Sequence, residues 1–260
     1  MPVSETDIAL AQRLADAAGA VIRPYFRKEH GLEAKDDLSP VTRADREAEE
    51  AMRRLIVAER PMDGIIGEEF GVREGTSGRQ WVLDPIDGTR AFIAGRPIFG
   101  TLIALIEDGW PVLGTLDQPI SKERWLGVAG RTTLFNGKPA ATRICRDLKS
   151  AILGTTSPAL FGDDQLHAFE HLDAAVMSTV LGGDCYNYGC VASGWMDVVV
   201  EAGLKLHDFA ALVPIVEGAG GRMCDWQGDP LHAGSNGEVI AAGDPARIDD
   251  ILEALACRGH

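Results

Sequence analysis

One stretch, Trp81-Val82-Leu83-Asp84-Pro85-Ile86-Asp87-Gly88-Thr89, constrains this chain more than any other. Its apolar start reads as a buried strand. Pro85 cannot donate to a sheet ladder and biases Asp84 away from helix, so the strand is expected to stop at Asp84. Asp84 and Asp87 would then project from a tight loop at the carboxyl end of a strand, where open α/β sheets place their ligands. Gly88-Thr89 can open a helix, whose first amides favour an anion, phosphate above all. Two hard oxygen ligands beside an anion cradle point to metal-assisted phosphate chemistry. The same Asp-Pro-x-Asp-Gly string is also ordinary turn chemistry, so by itself it leaves both readings open.

Two further motifs decide between them. Gly67-Glu68-Glu69 lies upstream; His207-Asp208-Phe209-Ala210-Ala211, followed by Glu217-Gly218-Ala219-Gly220-Gly221, lies downstream. In this order, and over nearly the whole chain, the three resemble the metal-binding signatures of the inositol monophosphatase-like, Mg-dependent phosphatases. The resemblance implies the layered αβαβα sugar-phosphatase fold, two or three Mg2+ ions, a small phosphate monoester as substrate and a homodimer. It makes Glu68, Asp84, Asp87 and Asp208 side-chain ligands, and the Ile86 carbonyl a backbone ligand. The amides of Gly88 and Thr89 would hold the phosphate, and Thr89, backed by Asp45 and Glu68, would orient the attacking water. Asp45 also lies near a helix start, where it would compensate the dipole. Hydrolysis of a phosphate ester needs charge neutralisation, an in-line water and a stabilised leaving oxygen, which paired divalent ions can supply.

Within that family, Phe99 to Leu105, Asp117-Gln118-Pro119, Glu123-Arg124-Trp125 and Gly182 to Tyr186 resemble the histidinol-phosphate phosphatase branch. Histidinol phosphate carries an ammonium and an imidazole. Asp184 and Glu201, if both reach the pocket, would favour such a cation through charge-assisted hydrogen bonds. Asp184 also reads as the N-cap of a helix entered through Gly182-Gly183. His207 departs from the aromatic or proline residue expected before the second-signature Asp. An inositol or broader sugar monophosphatase is the alternative, and a non-catalytic regulatory relative is a remoter one.

At 260 residues the chain can bury a substantial core. A formal net charge of −14 argues against a nucleic-acid or anionic-membrane binder. No apolar run approaches the ~20 residues that span a bilayer, and the polar N-terminus does not read as a signal peptide. Cysteines at 145, 185, 190, 224 and 257 lack C-x-x-C spacing and read as reduced thiols of a cytoplasmic protein.

Helical spacing predicts a first helix from Ser4-x-x-Asp7 to about Arg27, a polar linker from His30 to Pro40 carrying Lys35, and a second helix after Thr42. Gly64–Gly67 reads as a strand closed by Glu68-Glu69, and Phe70 to Arg79 as a loop. Three strands from Gly100 to Val128 form an antiparallel meander with an Asp108-Gly109 turn. A lobe boundary is placed near residue 140, giving a 1–140 lobe with the main metal motifs. The 141–260 lobe, carrying Asp208 and the specificity residues, alternates strands with helices. Its helices are expected at His167–Ala174, Asp184–Ser193, Asp208–Glu217, kinked by Pro214, and Pro245–Ala256. His167-Ala168-Phe169-Glu170-His171 matches a zinc-peptidase pattern, but such a site needs a further protein ligand.

Overall fold

The computed structural model describes residues 3–28, 33–34 and 40–256. Most of the expected linker, Lys35 included, and Cys257 lie outside the described residues. The chain runs through α1 (Glu5–Ile22), β1 (Glu33–Ala34), β2 (Pro40–Val41), α2 (Arg43–Glu59), β3 (Gly64–Gly67), β4 (Gly71–Arg73) and β5 (Arg79–Asp87). Then come α3 (Thr89–Ile93), β6 (Gly100–Glu107), β7 (Trp110–Gln118), β8 (Glu123–Val128), β9 (Leu134–Phe135) and β10 (Lys138–Pro139). The remainder is β11 (Ile152–Thr155), α4 (Asp163–Ala175), β12 (Ser178–Leu181), α5 (Tyr186–Ala192) and β13 (Val198–Glu201). It ends with α6 (Leu206–Phe209), α7 (Leu212–Gly218), β14 (Arg222–Cys224), β15 (Val239–Ala242) and α8 (Ile248–Ala256).

β10-β9-β8-β7-β6-β5-β3-β4 form one sheet and β12-β11-β13-β15-β14 a second. Strand alternation decides what each face covers. Trp81, Leu83, Ile103 and Leu105 point to Leu10 and Leu14 of α1 and Met52 and Ile56 of α2. Val82, Leu102 and Ala104, one residue out of phase, point to Tyr188 of α5 and Leu212 and Ile215 of α7, which also meet Val199 and Ala241 of the second sheet. The far face of that sheet buries Leu153, Val198, Val200 and Ile240 against Phe169 and Leu172 of α4 and Ile251 and Leu255 of α8. Both faces of the central strands are buried, hence their unbroken apolar runs. The result is five layers, αβαβα. α7 lies directly on the large sheet because Gly114 and Gly127 carry no side chain: a Cβ on either would sit 1.8 Å from the Ala211 carbonyl oxygen or 2.3 Å from that of Pro214.

Several boundaries differ from those the sequence predicts. α1 ends at Ile22 rather than near Arg27, because the Pro24 ring cannot follow the Ala20 carbonyl in a helix. The expected 208–217 helix is two pieces, broken at Ala210-Ala211, where Pro214 removes the partner of the Ala210 carbonyl four residues back. β4, inside the expected 70–79 loop, is an exposed edge strand without an apolar face to announce it. β5 does not stop at Asp84: the ladder to β6 slips past Pro85 and Ile86 and resumes at Asp87 with Gly100. The unpaired Pro85 carbonyl accepts the Thr101 hydroxyl at 2.8 Å.

Candidate active site

β3 and β5 run parallel, with Gly67 level with Leu83. Their carboxyl ends therefore lie side by side, and the Glu68 amide donates to the Leu83 carbonyl at 3.1 Å. Glu68, just past the end of β3, and Asp84, where the β5 ladder to β6 slips, therefore lie at the same height on neighbouring strands. α6 crosses the same edge and brings in Asp208. Oxygens of Asp84, Asp87 and Asp208 lie within 4.8 Å of one another, as do ligand atoms of Glu68, Asp84 and His207.

Each of the three aspartates is aimed by one backbone amide. Asp84 Oδ1 accepts from Ile86 N at 3.0 Å, Asp87 Oδ2 from Cys185 N at 2.6 Å, and Asp208 Oδ2 from Lys205 N at 2.7 Å. Burial drives the Asp84 carboxyl well above the usual range, and Glu68, Asp87 and Asp208 push it further. Asp87 is raised well above that range too, by burial and then by Asp184 and Asp208. Asp208 is raised mainly by burial, against the opposing charge of His207. Like charges so close cannot all ionise alone; a proton or a multivalent cation relieves them. Hard carboxylate oxygens grouped in this way could hold a divalent metal ion.

Asp45 uses its two carboxylate oxygens in different directions. One oxygen, Oδ2, accepts the Thr42 amide at 2.9 Å and the Thr42 hydroxyl, closing the start of α2. The other, Oδ1, lies 3.5 Å from Thr89 Oγ1, which also reaches the Ile86 carbonyl at 3.1 Å. The Asp45 carboxyl is pushed up to about 6, chiefly by burial. Gly88 precedes α3 at φ 85°, a conformation that favours glycine. A Cβ there would sit 2.9 Å from the Asp184 carboxylate, so the Asp184 side chain lies directly against the Gly88 backbone.

Asp184 is not the N-cap of α5. The chain passes through Gly182, Gly183 and Asp184 with positive φ (45° at Asp184), and α5 begins only at Tyr186. In that conformation the Asp184 side chain turns from the helix amides toward Asp87 and Asp208, with which it lines one pocket. Its carboxyl is pushed up to about 6 by burial, against the nearby charges of Arg96 and Arg90. Glu201 lines the same pocket from β13. Its Oε1 accepts from Thr156 N at 2.9 Å and from the Thr156 hydroxyl, and its Oε2 from Tyr188 OH at 2.8 Å. Phe161, Leu160 and Leu204 give the pocket an apolar side.

A profile of the inositol monophosphatase family matches residues 4–259. The chain belongs to the inositol monophosphatase family. It is 48% identical to the bifunctional phosphatase IMPL2, chloroplastic, of Arabidopsis thaliana, over 97% of this chain and 77% of that protein. It is 39% identical to a histidinol-phosphatase of Chlorobaculum parvum, over 96% of each. A solved inositol monophosphatase from Zymomonas mobilis superposes with a TM-score of 0.89 at 56% identity, covering 96% of this chain and 98% of that one. The protein is accordingly a phosphatase of this family, whose members act on small phosphate monoesters and are generally metal-dependent.

The family's motif residues are therefore brought together here, while His167 and His171 stand apart on the exposed side of α4, their Nε2 atoms 3.3 Å from each other. Sequence reasoning missed Thr156 and Tyr188, which hold Glu201. No helix of the described residues is long and apolar enough to cross a membrane. The cysteines at 145, 185, 190 and 224 are free thiols.

Proposed function

We propose that this phosphatase is a Mg2+-dependent histidinol-phosphate phosphatase, homodimeric and cytoplasmic. The observation that carries the substrate assignment is the single pocket that joins Asp87 and Asp208 to a second pair of acids, Asp184 and Glu201. The phosphate end of a substrate would lie at the three-aspartate cluster, and its ammonium and imidazole beside Asp184 and Glu201, where ionised acceptors give the stronger hydrogen bonds. Phe161 and Leu160 offer the imidazole ring an apolar wall. The 39% identity to a histidinol-phosphatase and the 35% identity to another, from Mycobacterium tuberculosis, support the same substrate.

Glu68, Asp84, Asp87 and Asp208, with the Ile86 carbonyl, would hold the Mg2+. When bound, the ions supply charge neutralisation for the phosphate and acidify water. Thr89 donates its hydroxyl proton toward Asp45 and the Ile86 carbonyl, so its lone pair is left to accept a hydrogen of the attacking water. Glu68 flanks that water on the other side. The amides of Gly88 and Thr89 open α3 without intrahelical acceptors and would grip the phosphate oxygens. The water oxygen bonds to phosphorus as the ester P–O bond breaks, and the proton given up by the water ends on the oxygen of the departing alcohol.

The assay is phosphate release over histidinol, inositol, fructose and nucleotide phosphates, with Mg2+ present or chelated. Histidinol phosphate should be hydrolysed best, and only with Mg2+. Asp184→Asn should raise the KM for histidinol phosphate and leave that for a neutral phosphate ester nearly unchanged. Equal losses on both would reject Asp184 as the selector. A wild type preferring inositol phosphate would establish the alternative reading, which the similarity to the Zymomonas mobilis inositol monophosphatase favours.

A further inference from the structure

We infer that Glu49 is a positioning residue that sets the direction of the Glu68 carboxylate. Glu49 lies on α2 one turn beyond Asp45 and is fully buried. Its Oε2 accepts from Glu69 N at 2.7 Å, and its Oε1 from Phe70 N at 3.2 Å and from Arg53 Nε at 2.6 Å. On the other side of Glu68 the carboxylate presses against Gly67, where a Cβ would come within 1.9 Å of Oε1. The peptide after Glu68 is thus hydrogen-bonded by the Glu49 side chain, which also packs against Gly67 before it. The Glu68 amide itself is tied to Leu83 of β5 at 3.1 Å. With its backbone held in this way, the Cα–Cβ bond of Glu68 is aimed so that the carboxylate faces Asp84 and His207.

A buried carboxylate is a costly way to close the turn between β3 and β4. A neutral acceptor would satisfy one amide but would present an N–H to the other donors; an ionised one accepts from all three. α2 therefore supports the site at two points one turn apart, Asp45 reaching Thr89 and Glu49 reaching the backbone around Glu68. Partners that orient a ligand without touching the metal typically alter its affinity by roughly 10- to 100-fold when removed.

This inference rests on Glu68 being a Mg2+ ligand, so the experiment includes that reading as its own arm. Mg2+ binding is measured by titration calorimetry on the wild type, Glu49→Gln, Arg53→Met and Asp84→Asn, with melting temperature and circular dichroism alongside. Glu49→Gln should bind Mg2+ about tenfold more weakly, with the KM for the phosphate ester at saturating Mg2+ unchanged. Arg53→Met, which removes the guanidinium that donates to Glu49 and to the Gly71 carbonyl of the same turn, should weaken Mg2+ in the same direction by less. A folded Glu49→Gln with lowered melting temperature but wild-type Mg2+ affinity would overturn the inference and leave Glu49 a turn brace. Should Glu49→Gln fail to fold, Arg53→Met decides alone, wild-type affinity again overturning it. If Asp84→Asn also bound Mg2+ as the wild type does, the metal assignment itself would fall, and with it the role of Glu49.

Discussion

Replacing Glu201 by glutamine removes a charge that the fold buries at a cost. Glu201 is buried between the two sheets, with Thr156 and Tyr188 as hydrogen-bond partners. Burial is the largest influence on its carboxyl, followed by the opposing hydrogen bonds of Thr156 and Tyr188, and the result is a pKa pushed up from 4.5 to about 7. The folded chain therefore holds this proton more tightly than the unfolded chain does. The cost of the buried charge is fully present above about 7 and disappears as the pH falls toward 4.5. At 1.36 kcal/mol for each tenfold difference in proton affinity, the whole effect is roughly 3 kcal/mol.

The wild type should thus gain about 2.5 kcal/mol relative to Glu201→Gln between about pH 8 and pH 5. Equilibrium urea unfolding of both proteins in chelator, at the two pH values, reads this directly. Asp45, Asp84, Asp87 and Asp208 titrate in both proteins, and their contributions cancel in the difference; Asp184, whose charge acts on Glu201, titrates with it and belongs to the same effect. A difference in stability that is the same at both pH values would refute the reasoning, because it would place the Glu201 carboxyl at its ordinary value. In turnover, Glu201→Gln should raise the KM for histidinol phosphate at about pH 8, where the wild-type carboxylate is ionised, and have little effect near pH 5.

Asp84→Asn, Asp87→Asn and Asp208→Asn should each abolish nearly all phosphate release while the metal-free protein melts no lower than the wild type, since each removes a charge from a self-repelling cluster. Near wild-type turnover at saturating Mg2+ would remove that residue from the ligand set. Thr89→Ala should lower kcat far more than it raises KM, because it misplaces the water rather than the phosphate; steady-state kinetics on histidinol phosphate checks it, and an effect on KM alone would refute it. Asp45→Asn should show a smaller loss of kcat together with about 1 kcal/mol of stability from the weakened start of α2. A thermal effect without a kinetic one would leave Asp45 only its closing of that helix.

The meander was readable because strands buried on both faces are nearly all apolar, and the turns between them carry Asp108-Gly109 and Asn136-Gly137, all four with positive φ; the layered αβαβα stacking was implied by the family resemblance. Asp84 and Asp87 were readable because Pro85 interrupts a buried strand, although the interruption proves to be a slip in the ladder rather than its end. Local chemistry could not show β4, which has no buried face, or the point at which the 208–217 helix divides. Pro214 signals a defect, but the carbonyl it abandons is four residues earlier, at Ala210.

What stayed hidden in the site has a common physical cause. Gly182-Gly183 announces a turn, yet whether Asp184 continues that turn or starts the helix depends on the room left by Gly88, nearly a hundred residues away. Glu201 is a strand-end acid whose partners, Thr156 and Tyr188, come from a neighbouring strand end and from α5. Glu49 looks like one more acid on a charged helix until β3 delivers Gly67 against it. A ligand that terminates a strand carries its own local signal, because the chain must bend there. A residue that aims the ligand carries none, because its place is decided by which element packs on which. Its sequence trace is at most a spacing, here the single helical turn from Asp45 to Glu49. That spacing acquires meaning only once Thr89 and the Glu68 turn are known to lie along the same face of α2.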